Sequence, residues 1–377
     1  MDAGKFIDIL GTEFFAGVPD SLLRPLSDCL TERYGFDATH HIIAANEGNC
    51  AALAAGYYLS TGKIPAVYMQ NSGEGNIINP LASLLSEKVY GIPAVFIVGW
   101  RGEPGTHDEP QHVFQGEVTE KLLDVMNVAS TVLDVDTTEI ELQKTASAWP
   151  EIFARGQQAA IIVRKGALTY DKKFSHANEH SLSRETVIES IAAAAGGDPI
   201  VCTTGKAGRE LFELRVKRGE GHEKDFLTVG SMGHCSSIAM GIALQKPEKR
   251  IWCIDGDGAL IMHLGAMAVI GATKPANLVH LVINNEAHES VGGFPTAAAK
   301  INLPALATAC GYEKVYSAES KDELGQMLRQ ITDGRNLTFG EIKCAIGSRA
   351  DLGRPTTTCR ENRMSFMEYL RNYKKNI

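Results

Sequence analysis

Basic residues form no cluster anywhere in this chain: 37 Lys and Arg stand against 45 Asp and Glu, a formal net charge of −8. That balance argues against nucleic acid and acidic membranes as partners. No apolar run approaches the length of a membrane span, and the opening stretch MDAGKFIDILGTEFF is acidic where a secretory signal needs basic residues. A soluble, unprocessed chain is expected. The eight cysteines include no CxxC pair, and Cys50, Cys202, Cys235 and Cys253 sit in apolar contexts, the pattern of reduced core thiols in a cytoplasmic protein. Two histidines of a polar segment, His107 and His112, lie five apart around Pro110, a poor spacing for a zinc-binding helix face.

What the 377 residues do contain is strands alternating with helices, enough for two α/β domains with substantial cores. A polar break, DKKFSHANEHSLS from Asp171 to Ser183, reads as a linker, so the expected organisation is a first domain over 1–170, a linker over 171–182 and a second domain over 183–377. In the first half the patterning predicts helices over 2–16, 49–60, 79–86, 118–126 and 140–155. In the second it predicts helices over 183–195, 259–271 and 361–373. The halves echo one another at a distance of about 184 residues: a helix, a basic turn and a strand precede Gly73-Glu74-Gly75 in one and Gly256-Asp257-Gly258 in the other. That period is far too long for a solenoid and implies two domains of like topology.

The stretch Arg250–Asn285 reads as strand, helix, strand. A parallel return puts both strand ends on one edge of the sheet, Asp257 beside Asn284-Asn285. A carboxylate and an amide oxygen form a hard-oxygen set suited to Mg2+ or Ca2+, but too few to fill the shell. The main-chain N–H groups of Gly258 and Ala259, at a helix start, suit an anion. A diphosphate bridging metal and helix would complete both. Thr203-Thr204-Gly205-Lys206, at another strand end, offers hydroxyls and a turn for the same phosphates.

Gly-Asp-Gly followed after 25 residues by Asn-Asn resembles the signature of thiamine diphosphate enzymes. With AANEGNCAALAAG, QNSGEGN, GIPAVFIVGWRGEPGTHDEPQH, TVGSMGHCSSIAMGIAL, NNEAHESVGG and DLGRPTTT, the chain resembles the phosphonopyruvate decarboxylase family along nearly its whole length, sulfopyruvate decarboxylase being the near relative. The resemblance implies two thiamine diphosphate-binding α/β domains, each a mostly parallel sheet flanked by helices, pyrimidine-binding first and diphosphate-binding second. It implies Mg2+ held by Asp257, Asn285 and the carbonyl of Ala287, with Gly256, Gly258, Ala259, Thr204 and Gly205 around the diphosphate. Glu47 matches the acid that activates the aminopyrimidine, Met232 the apolar wedge under the cofactor, and Gly230 a carbonyl facing its amino group.

The implied reaction is non-oxidative decarboxylation of 3-phosphonopyruvate to phosphonoacetaldehyde and CO2, in phosphonate biosynthesis. Candidates for substrate contacts are Asp20, Ser21, Gln70, Asn71, Arg101 and His112, Arg101 being the one charge complement and equally able to pair with Glu103 or Asp108. Cofactor geometry in the family implies a homodimer or higher assembly, with active sites between chains and a small 2-oxoacid as substrate. Sulfopyruvate decarboxylation, carboligation of a 2-oxoacid with an aldehyde, and a non-enzymatic cofactor-binding regulator are the alternatives; Glu47 speaks against the last, since a binder needs no activating acid. Two positions depart from the family: Glu286 where Gly is usual, and Gly208 where Ser is usual.

Overall fold

The computed structural model describes residues 1–372, and the chain divides into two compact units. One comprises Met1–Ser175 with Val291–Phe294, the other His176–Ser290 with Pro295 onward. In the first unit, β1 (Phe15–Gly17), β2 (His41–Ile43), β3 (Ala66–Gln70), β4 (Val95–Gly99), β5 (Ala129–Leu133) and β6 (Ala159–Val163) form one parallel sheet in the order β2-β1-β3-β4-β6-β5. The second unit contains β7 (Ile200–Cys202), β8 (Asp225–Leu227), β9 (Ile251–Gly256) and β10 (Leu278–Asn284). After two short strands, β11 (Ala287–His288) and β12 (Phe294–Pro295), come β13 (Lys314–Ala318) and β14 (Thr338–Lys343). Its parallel sheet runs β13-β14-β10-β9-β7-β8. Read from its other edge the first sheet is β5-β6-β4-β3-β1-β2, so each strand of one unit has a counterpart in the other. The echo in sequence is an echo in topology.

The central strands are largely apolar and buried because helices cover both faces of a parallel sheet, whereas the edge strands β5 and β13 are partly exposed. In the second unit, alternate residues supply two cores. Ile200, Cys202, Trp252, Ile254, Val279, Leu281 and Ile283 face one layer; Val201, Ile251, Cys253, Leu278 and Val282 face the other. Helices on these layers begin where local chemistry dictates. Ser183 caps Arg184–Ala195, and Ser320 with Glu323 forms a capping box on Lys321–Asp333.

Several helices differ from their expected extents. The first spans Ala3–Leu10, stopped by Gly11 in the left-handed conformation, rather than running through 2–16. Pro110 opens a helix to Val125, eight residues before the expected start. The expected helix over 140–155 is two, Glu139–Ser147 and Trp149–Ala154, with Pro150 in the first turn of the second. The helix over 259–271 is also two, Asp257–Met262 and Gly265–Thr273, broken where His263 leaves helical geometry and restarting at a glycine. In place of a helix over 79–86, the helix Glu74–Pro80 ends at its proline and passes into a π turn, Leu81–Leu85. The last helix is Cys359–Asn372; the expected end at Tyr373 lies outside the described residues. Among the described residues no helix is long and apolar enough to cross a membrane.

The segment read as a linker is bonded at both ends. Phe174 donates its N–H to Asp28 and stacks on Phe294 in the first unit. In the second, the Asn178 amide donates to the carbonyls of Asn285 (2.9 Å) and Cys344 (3.0 Å).

Candidate active site

In both units the polar residues singled out from sequence lie just beyond the carboxyl ends of the parallel strands, the edge where open α/β sheets bind ligands. In the first unit Asp20 and Ser21 follow β1, Glu47 follows β2, Asn71 follows β3 and Arg101 follows β4.

Glu47 opens the helix Glu47–Thr61, capped by Asn46. Its carboxyl is buried, accepts a hydrogen bond from Asn76 Nδ2 at 2.7 Å, and is pushed up by that burial. A side chain on Gly73 would collide with it. Asp20, wholly buried, accepts from Gln70 Nε2 at 2.6 Å and from the N–H groups of Leu22 and Leu23; burial pushes its carboxyl up too. Gly99 makes room for it, since a Cβ there would strike Asp20 Oδ2.

Arg101 is forked onto Asp108, Nε to Oδ2 at 2.7 Å and Nη2 to Oδ1 at 2.5 Å, and Nη1 donates to Ser21 Oγ at 3.2 Å. Burial raises the Asp108 carboxyl, but hydrogen bonds from Arg101 and the N–H groups of Glu109 and Gly102 hold it below the usual range. Of the two pairings open in the sequence, Asp108 takes the guanidinium, and Glu103 pairs with Arg164 instead. Asn71 holds this arrangement from beneath. Its amide donates to Arg101 O (2.8 Å) and Thr119 Oγ1 (3.0 Å) and accepts from Arg101 N (3.2 Å), so both of its N–H groups are used within the unit. His112, in the first turn of Pro110–Val125, is buried with Nδ1 unbonded; burial and Arg101 make the ring harder to protonate.

One buried acid of this unit was not foreseen. Glu74 has an unbonded Oε1, and burial pushes its carboxyl up to about 8. A folded-state pKa above the ordinary 4.5 means that the folded protein binds the proton more tightly. Stability therefore falls as pH rises from about 4.5 to about 8 and is flat above. Glu74→Gln should stabilise the protein by on the order of 3 kcal/mol at pH 8 and by almost nothing at pH 4, read as the difference in urea midpoints across that range.

In the second unit Thr203–Lys206 follow β7, Gly230–Met232 follow β8, Asp257 follows β9 and Asn285 follows β10. The pairing of Ile283 with Gly256 sets Asp257 and Asn284 side by side. Of the two acids flanking Gly256, Asp255 turns inward to His280 (3.2 Å), leaving Asp257 for the edge. Asp257 is buried, accepts from Thr296 Oγ1 at 2.5 Å, and burial pushes its carboxyl up to about 7. Asn285 Oδ1 accepts from Ala287 N at 3.2 Å.

Gly205 caps the helix Lys206–Lys217 at φ 91°, a conformation that excludes a side chain. The Thr204 hydroxyl ties that turn to Val229 O at 2.8 Å. Met232 lies between Ser231 at φ 55° and Gly233 at φ 87°, two left-handed residues that push the turn outward, and its Cε packs over Gly258 with the His288 ring. Glu286 stands at φ 61°, which is why glycine suits this position. Its carboxylate meets His180 Nε2 at 3.3 Å and adds to the electrostatic load on Asp257. Relief of the left-handed backbone in Glu286→Gly should stabilise the fold by about 0.5–1 kcal/mol and tighten anion binding. A thermal melt and a cofactor titration check the two effects.

The two clusters suit a thiamine diphosphate–metal group. Asp257 is a buried carboxyl whose hydrogen-bond partner is neutral, beside an amide, the hard-oxygen setting a divalent cation would compensate. Glu47 is a buried acid whose carboxyl is raised by that burial, the direction that suits a group sharing a proton with a ring nitrogen. The contacts of Thr296 with Asp257, Asn76 with Glu47 and Glu289 with Asn285 depend on the fold and are not legible in sequence; Asn76 and Glu289 carry a signal only as members of QNSGEGN and NNEAHESVGG.

Comparison with known proteins finds matches in both units. Residues 5–124 match the thiamine pyrophosphate enzyme N-terminal TPP binding domain, and residues 203–342 the C-terminal TPP binding domain. The chain is 35% identical to a phosphonopyruvate decarboxylase of Streptomyces viridochromogenes, over 96% of this chain and 92% of that protein. A phosphonopyruvate decarboxylase of Streptomyces hygroscopicus is 35% identical over 96% and 91%. A sulfopyruvate decarboxylase of Methanosarcina acetivorans is 27% identical over 89% of each.

Proposed function

We propose, for a chain that belongs to the phosphonopyruvate decarboxylase family of thiamine pyrophosphate enzymes, the Mg2+-dependent decarboxylation of 3-phosphonopyruvate to phosphonoacetaldehyde and CO2. The observation that carries the reading is a pair of buried acids, each at the carboxyl edge of its own sheet, Glu47 beyond β2 and Asp257 beyond β9, one suited to a ring nitrogen and one to a cation. Thiamine diphosphate, when bound, supplies a nucleophilic carbon and a sink for the electrons released with CO2. The chain's own residues do the rest.

Asp257, Asn285 and the carbonyl of Ala287 would hold Mg2+. Gly258, Ala259, Thr204 and Gly205 would receive the diphosphate, and Met232 would support the cofactor from below. Glu47, its carboxyl raised by burial, would face the pyrimidine and share a proton with it. Asp20, whose carboxyl burial raises, and His112, whose ring burial makes harder to protonate, are placed to donate or accept protons near an anionic substrate. Arg101, braced by Asp108 and Asn71, presents Nη1 with Ser21 to the phosphonate. Arg101→Met should raise KM for phosphonopyruvate by roughly 10-fold or more and KM for pyruvate far less, and equal effects on both would remove the assigned contact.

The family implies that pyrimidine and diphosphate ends are bound by different chains, hence at least a homodimer; sedimentation equilibrium tests it. The eight cysteines are free thiols, which suits a cytoplasmic enzyme of phosphonate biosynthesis. With Mg2+ and thiamine diphosphate supplied, CO2 and aldehyde release from phosphonopyruvate, sulfopyruvate and pyruvate distinguishes the reading from a sulfonate decarboxylase. Product analysis with added aldehyde distinguishes it from a carboligase.

A further inference from the structure

A buried charge network sits immediately behind Asn285. Arg184, in the first turn of the helix Arg184–Ala195, is forked onto Glu210, Nε to Oε2 and Nη2 to Oε1, both at 2.7 Å. Its third nitrogen, Nη1, reaches Glu289 Oε2 at 2.5 Å. Lys206 Nζ, at the start of the next helix, reaches Glu289 Oε1 at 2.7 Å. The side chains of Arg184, Glu210 and Glu289 are 7%, 1% and 9% exposed. With a cationic donor on each oxygen, Arg184 on Oε2 and Lys206 on Oε1, Glu289 sits in the network as a hydrogen-bond acceptor. A third donor completes it: Asn285 Nδ2 gives Glu289 Oε2 a hydrogen bond of 2.9 Å.

The chemistry of that last bond is one-sided. An ionised carboxylate accepts hydrogen bonds and donates none, whereas the two ends of an amide have almost the same shape and opposite polarity. Glu289 therefore dictates that Asn285 turns its N–H group toward the network and its carbonyl oxygen away from it. Oδ1 faces the Ala287 main chain, where it accepts from the N–H at 3.2 Å. Without the acceptor behind it only the Ala287 N–H would hold the oxygen in place, and the amide would turn over more readily to offer a cation its N–H group instead of its oxygen.

We propose that Glu289 is a positioning residue for the metal site: anchored by Arg184 and Lys206, it sets the amide of Asn285 so that an oxygen faces the cation. The inference rests on the reading of Asp257 and Asn285 as Mg2+ ligands. Partners of this kind, one step behind a metal ligand, typically contribute 10- to 100-fold to affinity. The network also links the ligand to the ends of two helices, so the setting of the amide is built into the rigid part of the unit.

The test uses the full chain with a fixed concentration of thiamine diphosphate, titrated with Mg2+ and followed by intrinsic tryptophan fluorescence, with thermal melts of each protein without ligands. Glu289→Gln should raise the half-saturating Mg2+ concentration by about 10-fold or more. Glu210→Gln breaks the same buried network without touching Asn285; it should lower the melting temperature yet leave the Mg2+ midpoint within about twofold. Equal midpoint shifts in the two variants, or none in Glu289→Gln, would overturn the proposal.

Should Glu289→Gln fail to fold, the double variant Asn285→Asp/Glu289→Gln keeps the net charge and restores the pair in the reversed sense. It should bind Mg2+ more tightly than Asn285→Asp alone, in which two carboxylates face each other, and the opposite order would also overturn the proposal. A wild-type protein with no Mg2+-dependent binding of thiamine diphosphate would instead remove the metal reading on which the inference stands.

Discussion

Glu47→Gln is expected to lower kcat by roughly 10²–10⁴-fold while thiamine diphosphate still binds. Gln retains the volume of Glu and an oxygen to accept from Asn76, so the helix start and the contact with Gly73 persist. What is lost is a proton that can move. Burial raises the carboxyl, which brings it toward the range where a shared proton is useful, and no amide can substitute for that. The measurement is paired: cofactor affinity by fluorescence titration, and single-turnover decarboxylation at saturating cofactor. A variant with wild-type turnover would reject the assigned role. One that no longer binds cofactor would make Glu47 a binding residue rather than an activating one.

Asp257→Ala is the second large effect, opposite in character. It should abolish Mg2+-dependent cofactor binding at millimolar metal, and with it all turnover, while leaving the apo-protein folded. The carboxyl is buried with Thr296 Oγ1 as its side-chain partner, so removing it deletes no ion pair. The cost is one hydrogen bond, about 1 kcal/mol, and a small cavity. Melting of the apo-protein should therefore change by a few degrees at most, whereas the stabilisation that cofactor and Mg2+ give the wild type should vanish. A variant that still gains stability from the pair would move the metal elsewhere.

Part of this arrangement is legible in the sequence, for a definable reason. Asp257 and Asn284-Asn285 end adjacent parallel strands, and a right-handed crossover leaves little freedom in where two such ends lie. Glu47 could be placed at a strand-to-helix junction on the same grounds. Substrate-side roles were less legible. Asn71 reads as a donor to ligand, yet both its N–H groups serve Arg101 and Thr119, partners remote in sequence. Arg101 reads as a charge awaiting an anion, yet Asp108 already holds its fork.

Helix ends were missed where backbone geometry overrode composition. The Ala/Leu/Met run after Asp257 has the propensity for one helix but breaks at His263, and Pro110 starts a helix inside a segment whose polarity reads as loop. Glu286 is instructive in the other direction. In sequence it is only a departure from the family pattern that adds a negative charge, and the backbone shows a further cost, since its φ of 61° is one that glycine adopts freely.

The most direct test of the central claim is the rate of CO2 and phosphonoacetaldehyde formation from 3-phosphonopyruvate by the purified chain with Mg2+ and thiamine diphosphate, beside sulfopyruvate and pyruvate at equal concentration. Stoichiometric CO2 and aldehyde from phosphonopyruvate, with kcat/KM above that for either competitor and no product when Mg2+ is chelated, is the predicted result. No turnover of phosphonopyruvate, or a preference for sulfopyruvate, would contradict it.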